Sequence, residues 1–167
     1  MNTAYFACGC FWGVQYQFSR LKGVIETQTG YMGGKISSPT YQMICTGTTS
    51  HKESVKIIYD QQIIDYTSLL KFFFEIHNFQ QTDGQGPDIG DQYLSVIFTC
   101  DDTQEKQAQQ IMGTLQNMNY HPATQILPAG KFWIAEDYHQ HYYEKIGKEP
   151  CYHLHRKIFE QASQNGE

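Results

Sequence analysis

Phe11, Val14 and Phe18 are spaced to line one face of a helix, and the pattern predicts that helix over Phe11–Arg20, closed by Gly23. A short apolar and aromatic strand precedes it at Thr3–Ala7, and a second strand follows at Val24–Tyr31. Gly33, Gly34, Ser37, Ser38 and Pro39 mark Gly30 to Thr40 as loop, after which Pro39 can open a short helix, Thr40–Cys45. Val55, Ile57 and Tyr59 fall on one face of a strand over Glu53–Tyr59. The clearest helical pattern is Tyr66–Asn78, with Leu69, Leu70, Phe73, Phe74 and His77 at helical spacing. A polar loop carrying Gly84, Gly86, Pro87 and Gly90 runs from Gln80 to Asp91, and Tyr93–Thr99 reads as a strand. Asp101–Asn119 is a Gln-rich helix with Ile111 and Leu115 inward. Short strands at Gln125–Leu127 and Phe132–Ile134, a helix at Asp137–Ile146 and a last helix at Arg156–Gln164 complete the reading. Up to residue 99 the order is β-α-β-β-α-β, the ferredoxin-like split β-α-β arrangement with helices against one face of a sheet. The expected class is α/β in the α+β sense, with extra C-terminal elements.

No repeat or linker interrupts this pattern, so residues 1–167 are expected to form a single domain, able to bury about two thirds of the unfolded chain's surface. Aromatic residues make up 14% of the chain, enough for a real core, which argues against disorder. Twelve Lys and Arg against 17 Asp and Glu give a net charge of −5, with no basic stripe for nucleic acid. The apolar stretches are too short to span a bilayer. The first residues lack a signal-peptide pattern, so a cytoplasmic location is expected. The five cysteines, Cys8, Cys10, Cys45, Cys100 and Cys151, are an odd number, which favours redox or metal chemistry over a disulfide framework.

Fold alone does not assign function, which rests on particular side chains. Cys10 lies where a strand gives way to a helix, a position whose free N–H groups favour a thiolate. Phe11 and Trp12 beside it offer an apolar pocket for a methyl or thioether group. A buried cysteine in an aromatic core is an equal rival reading of this segment alone. Cys8 is expected on the opposite side of the strand, in the core. Glu53 opens an apolar strand, where desolvation would keep its carboxyl protonated near neutrality; a solvated strand-end Glu is the commoner case. Asp88 and Tyr93, in and after the Gly/Pro loop, are candidates to bind an amide and to donate a hydroxyl; alone, they read as a solvated turn. His139, His141, Cys151, His153 and His155 suggest a metal tract, but the usual paired spacings are missing, and no metal is expected.

Taken in order, Gly9-Cys10-Phe11-Trp12-Gly13, Gly30-Tyr31-Met32-Gly33-Gly34, Pro39-Thr40-Tyr41, His51-Lys52-Glu53-Ser54-Val55, Tyr59-Asp60, Gly90-Asp91-Gln92-Tyr93 and Ala135-Glu136-Asp137-Tyr138-His139-Gln140 resemble the A-type methionine sulfoxide reductases, the peptide-methionine (S)-S-oxide reductases. The resemblance runs from residue 4 to about 155. It implies a two-layer plait and thiol-dependent reduction of methionine S-sulfoxide, in oxidised proteins or free, as a repair activity. By that resemblance Cys10 is the nucleophile and Glu53 the proton donor. Tyr41 and Tyr93 are donors to the sulfoxide oxygen, Asp88 steadies the substrate, and Phe11 and Trp12 hold its methyl group. No cofactor is implied. A sulfenic acid forms on Cys10, a second thiol condenses with it, and a thioredoxin-like dithiol reduces the disulfide. A monomer is the expected working unit.

Three segments depart from the family pattern. Cys8 stands where Gly is usual, Ser50-His51-Lys52-Glu53 replaces a common Gly-His-Ala-Glu, and Glu149-Pro150-Cys151-Tyr152-His153 has no glycine-rich tail and no later Cys. Cys151, in a polar segment within about 147–155 that can swing toward Cys10, is the expected resolving thiol. Cys8 remains the alternative, and Cys45 and Cys100 are expected to be inert. Two rival functions stand beside the enzyme: a metal-binding protein using Cys8, Cys10, Cys151 and the histidines, and a non-catalytic binder of methionine or its sulfoxide. The binder would have no use for an acid at Glu53.

Overall fold

The computed structural model describes residues 1–151 and 154–160. Its order is β1 (Asn2–Ala7), α1 (Phe11–Phe18), β2 (Val24–Met32), α2 (Tyr41–Cys45), β3 (Lys52–Tyr59), α3 (Tyr66–Glu75), β4 (Gly84–Gln85), β5 (Asp88–Ile89), β6 (Val96–Thr99), α4 (Asp102–Asn117), β7 (Gln125–Pro128), β8 (Trp133–Ile134) and α5 (Tyr142–Ile146). The main sheet runs β7-β6-β1-β3-β2-β8. Its four central strands are antiparallel in the order of a split β-α-β plait. The α4 crossover returns β7 parallel to β6, and β8 pairs antiparallel with β2.

The apolar spacing explains the layers. Phe6 of β1 stacks on Phe18 of α1 and Phe73 of α3, with ring centroids 5.4 and 5.0 Å apart. Leu69, Leu70, Phe73 and Phe74 of α3 are buried with Ala108, Ile111 and Leu115 of α4. Each such side chain contributes roughly 1.5–3 kcal/mol by leaving water. Asp65 and Asp101 cap α3 and α4, accepting from Ser68 N–H and Gln104 N–H. The opposite face of the sheet carries a smaller cluster of Ala7, Met32, Val96 and Phe98.

Several expected elements differ. The strand expected over Tyr93–Thr99 begins only at Val96, because Asp91–Tyr93 forms a 3-10 turn closed by Tyr93 N–H to Gly90 O. The loop before it folds back as the β4–β5 hairpin. The helix expected over Asp137–Ile146 is two pieces, a 3-10 turn at Asp137–His139 and α5, broken where His141 adopts φ 51. No helix begins at Arg156: residues 156–160 lie along α3, with Arg156 N–H donating to Glu75 O and Ile158 and Phe159 buried. The remainder of that expected helix, 161–164, lies outside the described residues. Among the described residues no helix is long and apolar enough to cross a membrane.

Candidate active site

Cys10 is the residue that caps α1, following a turn that only a glycine makes comfortably. Gly9 has φ 104, and a Cβ there would lie 2.9 Å from the Gln85 side chain. The turn points the Cys10 thiol at the free N–H groups of Trp12 and Gly13, which favour its anion. The expected thiolate nonetheless does not follow. Burial, and then the Glu53 carboxylate, push the thiol up to about 12, and the two N–H groups offset only part of this.

Glu53 approaches from β3, the strand between β1 and β2, and is only 2% exposed. Its Oε2 accepts the Phe11 N–H at 3.1 Å, which fixes the carboxyl beside the start of α1. Burial drives its pKa to about 8 against the opposing pull of that hydrogen bond. Glu53 therefore holds a proton at neutral pH, as an acid opening an apolar strand should.

Two phenols face this carboxyl. Tyr93 is presented by the 3-10 turn, and its phenol is pushed up by burial and by Glu53 and Asp88. Tyr41 opens α2, with its phenol pushed up by burial and by the Cys45 thiol one turn along, then by Glu53. Glu136 holds Tyr41 in place: its two oxygens accept the Tyr31 hydroxyl and the Tyr41 N–H, each at 3.1 Å.

Beside Cys10 lies a cavity of about 320 Å³, lined among others by Cys8, Trp12, Asp88, Tyr143, Pro150 and Cys151. Cys10 and Asp88 are walls of this cavity, and both lie near enough to Glu53 and Tyr93 to interact with them electrostatically. Cys8 is buried, as expected for core, but it does not point away from Cys10. Gly9 turns the chain between them, and both residues line this cavity. Cys151 is exposed at the cavity's rim.

The aromatic flank divides. Phe11 is 1% exposed, its ring against Tyr31 and His139, while Trp12 reaches the cavity with its indole stacked 3.7 Å from Tyr142. The histidine tract does not gather. His139 is buried, and its Nδ1 accepts the Trp12 indole N–H at 2.8 Å, while His141 and His155 lie apart near Gln15 and Phe72. His153 lies outside the described residues. Among the described residues no three His, Cys, Asp or Glu side chains are grouped to hold a metal ion. His139, Glu136 and Tyr142 were missed as site-building residues. Glu136 and His139 lie in the Ala135–Gln140 segment that carries the resemblance, where His139 also reads as a metal candidate; Tyr142 lies beyond it, within the expected Asp137–Ile146 helix. Cys45 and Cys100, expected to be inert, are exposed and are not walls of the cavity beside Cys10.

The Ser50-His51-Lys52 departure has a local effect. Ser50 sits at φ 61, a conformation that strains any residue with a Cβ. Its carbonyl accepts Lys52 Nζ at 3.0 Å, and the same ammonium pairs with Asp91 at 2.8 Å, tying β3 to the turn that presents Tyr93. Ser50→Gly should stabilise the protein by roughly 0.5–1 kcal/mol, a rise in Tm of about 2–3 °C. A calorimetric Tm that falls would contradict the strain.

Comparison with known proteins matches this architecture. The profile of the peptide methionine sulfoxide reductase family matches residues 2–166. The enzyme MsrA of Methanosarcina mazei is 43% identical over 153 residues, 88% of this chain and 71% of that protein. MsrA of Geobacter sulfurreducens is 43% identical over 154 residues, 90% of this chain and 95% of that protein. Among solved structures, reduced Mxr1 of Saccharomyces cerevisiae superposes with a TM-score of 0.88 at 30% identity, covering 93% of this chain and 92% of that one. A Cys-turn-helix facing a buried, protonated glutamate, on a plait shared with these enzymes, places the chain in the peptide methionine sulfoxide reductase family, A type.

Proposed function

We propose that this chain reduces the S epimer of methionine sulfoxide, in proteins and free, with Cys10 as nucleophile and Glu53 as proton donor. The observation that carries the assignment is Glu53, 2% exposed and protonated to about pH 8, beside the helix start that bears Cys10. A sulfoxide sulfur is a poor electrophile until its oxygen is protonated or strongly hydrogen-bonded. Glu53 supplies the proton, and the hydroxyls of Tyr41 and Tyr93 hold the oxygen. Cys10 attacks the sulfur, and its thiol proton restores Glu53 as the oxygen passes over. The methionine sulfur gains two electrons and Cys10 loses two, so a thiol and a sulfoxide become a sulfenic acid and a thioether. Phe11 and Trp12 take the methyl group, with Phe11 acting as the buried floor, and Asp88 steadies the substrate chain.

Residues 1–167 act as one catalytic unit, with the resolving segment at about 147–155. Cys151 condenses with the sulfenic acid, water leaves, and a thioredoxin-like dithiol reduces the disulfide. The yeast relative Mxr1 forms a complex with Trx2, which favours this kind of reductant. Five unpaired thiols suit a reducing compartment, and the cytoplasm is the proposed place of action. After one turnover without reductant, peptide mapping should show a Cys10–Cys151 disulfide in the wild-type protein. Finding Cys151 freely alkylated and Cys10 lost after methionine has formed would remove Cys151 from the cycle.

Epimer selectivity tests the pocket. The methyl faces the aromatic flank, the oxygen faces Glu53, Tyr41 and Tyr93, and Cys10 takes a third direction. Inverting the sulfur exchanges two of these directions, which costs about 1–3 kcal/mol for each hydrogen bond lost and removes the proton path. With a thiol reductant, a racemic sulfoxide peptide should be consumed to half and then stall, leaving the R form. Chiral chromatography showing equal consumption of both epimers would defeat the pocket.

A further inference from the structure

We propose that Cys8 is a second resolving thiol, able to convert the sulfenic acid on Cys10 to a Cys8–Cys10 disulfide without Cys151. The inference rests on Cys10 being the nucleophile. What carries it is a cluster of three cysteines on one cavity: Cys8, Cys10 and Cys151 all line the space of about 320 Å³ beside the nucleophile.

The backbone suits the bond. Two trans peptide links keep the Cα atoms of Cys8 and Cys10 within about 7 Å, near the upper end of the range a disulfide tolerates. Ala7 is the last residue of β1 paired to β6, so Cys8 is already free of that ladder. Gly9, at φ 104, then turns the chain. Gln85 is locked by two hydrogen bonds to Asn78 and packs where a Cβ on Gly9 would fall, so the turn is held in place. Both residues consequently border the same space.

The chemistry balances without a further reactant. The Cys8 sulfur attacks the sulfenic sulfur of Cys10, the S–O bond breaks, and the thiol proton leaves with the hydroxide as water. Cys8 is 4% exposed, and burial holds its thiol protonated, so it is shielded from direct oxidation yet next to the one sulfur that becomes electrophilic. Cys151, by contrast, is exposed at the cavity's rim and 141 positions along the chain. A buried partner two residues from Cys10 is held beside it by the turn itself, and so protects it from climbing to the sulfinic acid. Cys151 can afterwards take over the disulfide by exchange and present it to an external dithiol.

The test uses Cys151→Ser, treated with one equivalent of S-sulfoxide peptide, without reductant and with dimedone present. Residues 1–20 leave trypsin as a single peptide that contains both Cys8 and Cys10. The expected result is methionine, no dimedone adduct, and that peptide lighter by two hydrogens. In Cys8→Ala/Cys151→Ser the adduct should appear on Cys10 instead. Methionine accompanied by a dimedone adduct on Cys10 and a freely alkylated Cys8 in Cys151→Ser would overturn the inference while leaving Cys10 as the nucleophile. Failure of the wild type, run alongside, to form methionine would overturn the Cys10 assignment and this inference together.

Discussion

Cys10→Ser should lose sulfoxide reduction down to the uncatalysed background while becoming more stable. A serine oxygen cannot take up the sulfoxide oxygen as a sulfenic acid, so no positioning by Glu53 or Tyr93 rescues the step. The opposite effect on stability has a separate cause. Cys10 is the N-cap of α1 yet makes no side-chain capping hydrogen bond. A serine hydroxyl is among the best acceptors for the N–H groups beyond it and should add about 1 kcal/mol. The native sulfur is therefore a poorer cap kept for its chemistry. Turnover within tenfold of wild type in a folded Cys10→Ser protein would contradict the assignment.

Glu53→Ala should reduce the rate of sulfoxide reduction by roughly 100- to 10,000-fold, and Glu53→Gln by less, because an amide still donates to the oxygen without giving up a proton. In the wild type the rate should fall as pH rises through about 8, where the carboxyl ionises. That limb should vanish in both variants. Removing the acid should affect stability in the opposite direction to the rate. The folded chain holds the Glu53 proton up to about 8, whereas the unfolded chain releases it near 4.5. The pH-dependent cost of burying the acid is thus absent below pH 4.5, grows as pH rises, and levels off above 8; at neutral pH it is on the order of 3 kcal/mol. Glu53→Gln should accordingly gain Tm over the wild type between pH 5 and 8. A rate that ignores pH in this window, or a Tm difference that shrinks with rising pH, would refute a buried protonated acid.

Much of this was legible in the chain because it depends on local pattern. The β-α-β-β-α-β order came from periodicity at Phe11–Phe18 and Leu69–Phe74, and the sheet order follows from that succession. Glu53 could be read as desolvated because Val55 and Ile57 beside it had to be buried. What was missed depends on distance or on turn chemistry. Trp12 and His139 are 127 positions apart, and no spacing rule ties an indole to an imidazole across that interval. Tyr93 looks like a strand residue by composition, but Gly90 starts a 3-10 turn whose signal is conformational. His141 breaks the expected last helix through an αL backbone that apolar periodicity does not reveal. The thiolate expected at Cys10 failed because a helix N-terminus was weighed without the burial around it, and burial is the larger effect.

The central claim is that the sulfoxide oxygen passes to Cys10. It is tested most directly in the wild-type protein, mixed with one equivalent of S-sulfoxide peptide and no reductant, then quenched with an alkylating agent. Whichever thiol resolves the sulfenic acid, Cys10 should be lost to alkylation in step with the methionine formed, about one for one. Methionine appearing at that stoichiometry while Cys10 remains fully alkylated would contradict the account.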